Sequence, residues 1–115
     1  MSTVINSVIE PLLKRRIFAT EEEAIRTLMQ QYILQQIDTL QQTLAHFEQK
    51  YGLGFQQFTD YLHERSRLLE REQLTVEQRR VLGQAVMQEE DDWLDWKVAQ
   101  EMLQSWLGIR QEVSH

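Results

Sequence analysis

The chain has 115 residues, a formal net charge of −6, no cysteine, four glycines and one proline. The length suggests one domain with a modest core. Without cysteine there are no disulfides, thiol nucleophiles or cysteine-ligated metal centres. So few turn residues argue against a β-sandwich or β-barrel, and no glycine-rich turn supports a dinucleotide-binding sheet. Glutamine, leucine, glutamate and arginine are common and are good helix formers, so the composition predicts an all-α protein.

No apolar run approaches the roughly 18 residues that a membrane span needs. The first ten residues lack a basic segment followed by an apolar one, so we expect no signal peptide and a cytoplasmic protein. The acidic balance argues against general nucleic-acid binding, since phosphates are repelled, and is compatible with a basic protein partner.

The N-terminal third predicts a helix over Ser7–Phe18, with Pro11 near its first turn, where a missing N–H costs little. Before it, residues 2–7 are compatible with a short strand or a frayed helix start. The pattern leaves these two alternatives open.

A long central helix follows. Thr20 and Glu23 form a capping-box pattern at its start, and Gly52 predicts its C-cap. Heptad spacing marks an apolar seam of Ile33, Ile37, Leu40, Leu44, Phe47 and Tyr51. About 30 helical residues span about 45 Å, whereas a 115-residue domain is about 30 Å across. The seam therefore needs either a folded-back helix or a second copy, and we expect a homodimer.

The C-terminal half predicts further helices. One begins at Phe55, and Thr75 with Gln78 offers a second capping box. The acidic run Glu89–Asp92 leads into a last helix, where the acids favour the positive end of the helix dipole. Whether residues 70–92 form one helix or a hinge stays open, so the prediction is four to five helices.

Catalytic and metal-binding patterns are weak. The three histidines lack metal-ligand spacing, and Asp60, His63 and Glu64 give only a partial site. The carboxylates of Asp91, Asp92 and Asp95 could hold a hard cation, but acids before a helix are more often dipole partners. We expect no enzymatic activity, no metal and no cofactor.

Trp93, Trp96 and Trp106 fall within 14 residues, beside the acidic run. In one interpretation they anchor the last helix in the core. In the other they form an exposed interface patch, where tryptophan is enriched and the surrounding acid favours a basic partner.

Residues 16–29 and several later segments resemble a known family. The string Arg16-Ile-Phe-Ala-Thr-Glu-Glu-Glu-Ala-Ile-Arg-Thr-Leu-Met29 resembles the helix–turn–helix part of ribbon–helix–helix antitoxins. With Phe47–Gly52, Phe55 with Phe58, and Glu90–Trp96, the chain is similar to short, mostly cyanobacterial antitoxin-like proteins. The resemblance implies an N-terminal dimer that binds DNA through a two-stranded ribbon, and a C-terminal segment that blocks a basic toxin.

The chain departs from that pattern at the DNA-binding end. Residues 1–10 contain no lysine or arginine, and Glu21–Glu23 would oppose phosphate. Lys14, Arg15 and Arg16 are the candidates for a DNA-backbone contact. The resemblance therefore favours the fold and a dimer over DNA binding.

The full expectation is a single helical domain over residues 1–115, with residues 1–52 as the dimerisation part and 53–115 as the partner-binding part. The predicted function is a non-enzymatic, antitoxin-like binding protein. Its alternative is a helical scaffold or assembly protein without a toxin partner. The predicted partner-binding residues are Asp91, Asp92, Trp93, Asp95 and Trp96.

Overall fold

The computed structural model describes residues 3–71 and 73–114. Within these ranges the chain forms four α-helices and no strand: α1 (Thr3–Lys14), α2 (Glu21–Tyr51), α3 (Phe55–Leu68) and α4 (Val76–Val113). The all-α prediction and its long central helix, α2, are confirmed.

Of the two alternatives left open for residues 2–7, the short strand is wrong where it can be examined, because α1 begins at Thr3. Met1 and Ser2 lie outside the described residues. A lone strand has no partner strand in the described parts of the chain, whereas a helix satisfies its own backbone groups. The earlier start places Pro11 inside α1 and not in its first turn.

The end of α1 also differs from the prediction, because the helix stops at Lys14 and not at Phe18. Arg16 takes a left-handed conformation, with φ of +56°. Its N–H donates to the carbonyl of Leu13 at 3.0 Å, and the N–H of Ile17 donates to that of Leu12 at 3.0 Å. This pair of bonds is a Schellman motif, usually made with glycine at the left-handed position.

Both predicted ends of α2 are confirmed. The hydroxyl of Thr20 accepts the N–H of Glu23 at 3.1 Å. The Glu23 carboxylate accepts the N–H of Ala19 at 3.2 Å, one residue before the usual capping-box position. At the other end, Gly52 has φ of +66° and donates to the carbonyl of Glu48 at 2.7 Å.

The predicted capping box at the start of α4 is complete. The N–H of Thr75 donates to Gln78 Oε1 at 3.0 Å, and the N–H of Gln78 donates to Thr75 Oγ1 at 3.1 Å. From this start α4 runs without interruption to Val113. The acidic run Glu89–Asp92 therefore lies in the middle of a helix, and its predicted role at a helix N-terminus is wrong.

The described chain groups into two compact units. Unit 1 extends to Asp38 and includes the chain from Trp106 onward, whereas unit 2 is Thr39–Ser105. The buried apolar residues of unit 1 are Ile9, Ala24, Ile33 and Ile37. Those of unit 2 are Phe47, Phe58, Leu62, Val86, Trp96, Ala99 and Leu103.

Candidate protein-interaction site

An aromatic cluster forms the core of unit 2. Phe47, Phe58 and Trp96 are its buried members, and they come from α2, α3 and α4 respectively. The partly buried side chains packed against them are Leu44, Tyr51, Leu53, Phe55 and Trp93. Because each helix contributes a large ring, the cluster fixes the three helices of this unit to one another.

Trp96 is the centre of this cluster and is only 1% exposed. Its ring centroid lies 5.5 Å from those of Phe47, Phe55 and Phe58. The indole therefore has no free face to offer a partner. Of the two interpretations of the tryptophans, the core interpretation describes the position of Trp96.

Trp93 occupies a different position, at the edge of the cluster, and is half-buried. Its indole N–H donates to the hydroxyl of Thr59 on α3 at 2.9 Å. Phe55 stacks on it with ring centroids 5.9 Å apart, and the Lys97 ammonium lies 5.3 Å from its ring centroid. Trp93 is thus held in one orientation while part of its surface remains accessible.

Asp92 faces inward and joins α4 to the end of α2. Its Oδ2 accepts hydrogen bonds from Lys50 Nζ at 2.6 Å and from the Tyr51 hydroxyl at 2.5 Å. Burial acts to raise the pKa of Asp92, but the bonds from Lys50 and Tyr51 outweigh it and hold the pKa below its ordinary value. Burial and the bond to Asp92 raise the pKa of the Tyr51 phenol.

A second inward-facing acid lies one turn earlier. Glu89 Oε2 is 3.0 Å from Arg65 Nε of α3, and both side chains are mostly shielded. Half of the acidic run, Glu89 and Asp92, therefore joins α4 to its neighbouring helices.

The remaining acids of this segment point outward. Glu90, Asp91 and Asp95 are exposed, and none of them makes an ion pair or hydrogen bond with a described residue. Glu90 and Asp91 border an open cleft of about 520 Å³ between α3 and α4. The cleft is lined by Thr59, Leu62, His63 and Ser66 from α3, and by Glu90, Asp91, Trp93 and Leu94 from α4.

The structure thus divides the five predicted partner-binding residues. Asp91 and Asp95 are exposed and unpaired, Trp93 lines the cleft, and Asp92 and Trp96 face the interior of unit 2. The α3 side of the cleft was not predicted as a site. A signal for it exists, since Thr59, Leu62, His63 and Ser66 have the spacing of one helix face.

The predicted dimer seam is largely covered by the chain itself. Ile33, Ile37 and Phe47 are at most 7% exposed, and Leu40, Leu44 and Tyr51 are half-buried. Of the two alternatives for covering the seam, the folded-back helix accounts for Phe47, which stacks on Trp96 of α4.

The candidate DNA-backbone residues are consecutive at the C-terminal end of α1: Lys14 is its last residue, and Arg15 and Arg16 follow it. Lys14, Arg15 and Arg16 are exposed, and Lys14 Nζ is 3.4 Å from Glu10 Oε1. The helix that follows begins with Glu21, Glu22 and Glu23. Only residues 17–20 separate these acids from the three cations along the chain.

Comparisons of the chain with protein-family models, curated proteins and solved structures found no match. Within residues 3–71 and 73–114, no group of three or more histidines or acids is placed to hold a metal ion. None of the described helices is long and apolar enough to cross a membrane.

Proposed function

We propose that the chain is a non-enzymatic, antitoxin-like binding protein whose acidic α4 surface engages a basic protein partner. The observation that carries this proposal is a group of three exposed carboxylates without partners among the described residues. Glu90 and Asp91 line the α3–α4 cleft, and Asp95 follows Asp91 by about one turn of α4. Isolated acids attract cations only weakly, but a group of them beside an apolar cleft favours a basic surface and steers its approach.

The distribution of charge supports this position. Residues 39–105 contain seven lysines and arginines and twelve acids, for a net charge of −5, whereas the rest of the chain sums to −1. Almost all of the net charge therefore belongs to the segment that carries the cleft. Such a concentration raises the association rate of a basic partner at low salt.

A homodimer remains part of the proposal, although the seam that suggested it is mostly buried within one chain. The exposed apolar side chains of unit 1 that remain for a second copy include Leu28, Met29 and Tyr32, which are 37–55% exposed. Light scattering at about 100 μM, a concentration at which a micromolar dimer is populated, tests this part. A monomer mass would remove it.

The alternative, a helical scaffold or assembly protein without a toxin partner, has a specific observation in its favour. Trp96 and Asp92, two of the residues first assigned to partner binding, stabilise unit 2 from within. In this alternative the exposed acids act only to keep the protein from aggregating.

A tagged pull-down from the native cell extract, in moderate salt and with mass spectrometry, distinguishes the two functions. The variant Asp91→Asn with Asp95→Asn is compared with Glu48→Gln with Glu112→Gln, which removes the same charge from exposed sites elsewhere. The proposal expects one small basic protein at near-equal amount, lost from the first variant and retained by the second. Recovery of the protein alone would favour the scaffold.

A further inference from the structure

The cleft between α3 and α4 has features that define its occupant more narrowly than charge alone. The two helices run antiparallel here, since Thr59 contacts Trp93 and Arg65 contacts Glu89. The groove between them has a volume of about 520 Å³, within the range of small-ligand and peptide sites. That volume exceeds what one side chain fills, which favours a segment with more than one anchor.

Part of the wall of the cleft is apolar, and its tryptophan is held in place. Leu62, Trp93 and Leu94 supply it, and Leu94 is 54% exposed. Trp93 is fixed by its bond to Thr59 and by its stacking on Phe55. Because Trp93 is already held, it loses little conformational entropy on binding, and these three apolar side chains favour an apolar side chain as the anchor.

One border of the cleft is negatively charged. Glu90 and Asp91 line it, and they have no ion-pair partner among the described residues. Their neighbours Glu89 and Asp92 are paired with Arg65 and Lys50, so these two cations do not neutralise Glu90 and Asp91. The two free carboxylates repel phosphate or an acidic peptide and attract lysine or arginine.

We infer that this cleft binds a basic amphipathic helix of the partner protein, with its apolar side chains against Leu62, Trp93 and Leu94 and its cations at Glu90 and Asp91. This inference rests on the proposed function and identifies the segment that the acidic surface recognises. Amphipathic helices commonly bind in this way, laying spaced apolar residues into a groove between helices. Charge then orients the helix, and the apolar anchors supply most of the affinity.

The test uses synthetic amidated helical peptides and the full-length protein. The first peptide carries leucines on one face and arginines beside them; a second replaces the leucines with serine, and a third replaces the arginines with glutamine. Binding is followed by calorimetry and by the ¹H–¹⁵N spectrum of the protein. We expect the first peptide to bind most tightly, the glutamine peptide to bind several-fold more weakly, and the serine peptide not to bind measurably below about 1 mM. Binding should shift the Trp93 indole N–H and the other cleft residues.

Two protein variants locate the site. Leu94→Ser should weaken binding of the first peptide at least fivefold. Met87→Ser, which removes an exposed apolar residue of α4 away from the cleft, should change it less than twofold. Both positions are exposed, so both variants should keep the wild-type melting curve.

The outcomes separate this inference from the proposed function. Equal binding of the leucine and serine peptides, no binding of any peptide, or equal effects of Leu94→Ser and Met87→Ser would each overturn the inference. The proposed function would survive these results if a basic protein were still captured and the Asp91 and Asp95 variant lost it. Failure of the wild-type protein to capture any basic protein would refute the proposed function itself.

Discussion

Replacing Trp96 with alanine should destabilise unit 2 severely, because this indole is the centre of its core. The side chain is 1% exposed and lies within 5.5 Å of three other rings. A buried tryptophan removes about 150–250 Å² from water, and at about 25 cal/mol per Å² its burial stabilises the fold by roughly 4–6 kcal/mol. The alanine side chain keeps a small part of this apolar burial, so Trp96→Ala should lower the free energy of unfolding by about 3–5 kcal/mol.

Trp96→Phe should behave differently, because two effects oppose each other. The smaller ring gives up about 1–2 kcal/mol of apolar burial. The indole N–H of Trp96, however, is buried without a hydrogen-bond acceptor in the described parts of the chain. Removing such a donor returns about 1–3 kcal/mol. The free energy of unfolding should therefore change by an amount between a loss of about 1 kcal/mol and a gain of about 2 kcal/mol.

Urea unfolding followed by circular dichroism at 222 nm measures both effects, with Trp93→Phe as the control at the half-buried edge position. Tryptophan emission of the folded wild type should be blue-shifted and should lose its most shifted component in Trp96→Phe. A loss below about 1 kcal/mol for Trp96→Ala, together with weaker partner binding, would refute the reasoning and make Trp96 an interface residue.

Three further predictions concern the backbone and its caps. Gly83→Ala, where a Cβ would meet nothing within 4 Å in the interior of α4, should raise the free energy of unfolding by about 0.5–1 kcal/mol in urea. Arg16→Gly should also raise the free energy of unfolding, by about 0.5–1 kcal/mol in the same assay, because glycine adopts the left-handed conformation of this position without strain. A lower free energy of unfolding would mean that contacts of the arginine side chain stabilise the fold by more than this strain costs. Thr75→Ala should lower the melting temperature, because losing the N-cap hydrogen bond of α4 reduces the free energy of unfolding by about 1 kcal/mol. The control Thr39→Ala, in the exposed middle of α2, should have a smaller effect.

The helix ends were the most predictable part of this fold. The caps formed by Thr20, Gly52 and Thr75 all depend on residues within four positions of one another, so their chemistry can be read along the chain. The end of α1 escaped prediction because an arginine occupies the left-handed position that normally indicates glycine. Sequence patterns predict a helix end where its capping hydrogen bonds join residues a few positions apart. They miss a helix end where the capping position holds an unusual residue type, as Arg16 does.

The interior of α4 was harder to predict for a related reason. The acidic run suggested a helix start because acids are favourable at the positive end of the helix dipole. Inside a helix, like charges one turn apart destabilise it by a few tenths of a kcal/mol per pair. In the structure, contacts made by Glu89 with Arg65 and by Asp92 with Lys50 offset that repulsion. These partners lie 24 and 42 positions away in the chain, so a local pattern could not reveal them. The candidate site depended on the same information, because only those contacts show which acids remain free.

Neighbouring acids of α4 should therefore respond in opposite ways to loss of charge. Asp92→Asn should lower the free energy of unfolding by about 1–2 kcal/mol, because it breaks the charge-assisted bond from Lys50, and should leave the exposed border of the cleft unchanged. Asp91→Asn should be neutral or stabilising by up to about 0.5 kcal/mol, since it relieves repulsion from Asp95 four residues on, and should weaken the basic partner.

The pH dependence of the Asp92 effect provides a second check on this division. The lowered pKa of Asp92 in the folded state means that its charged form stabilises the fold at any pH above the unfolded value of about 3.9. As pH falls through the lower, folded value, that stability disappears, so the difference between wild type and Asp92→Asn should shrink below about pH 4 and stay constant between about pH 5 and 8. Urea unfolding of both proteins across this range measures it. A difference that did not shrink as the pH fell below about 4 would show that Asp92 acts through packing. An equal loss of stability in Asp91→Asn would remove the distinction between the paired and the free acids on which the binding site depends.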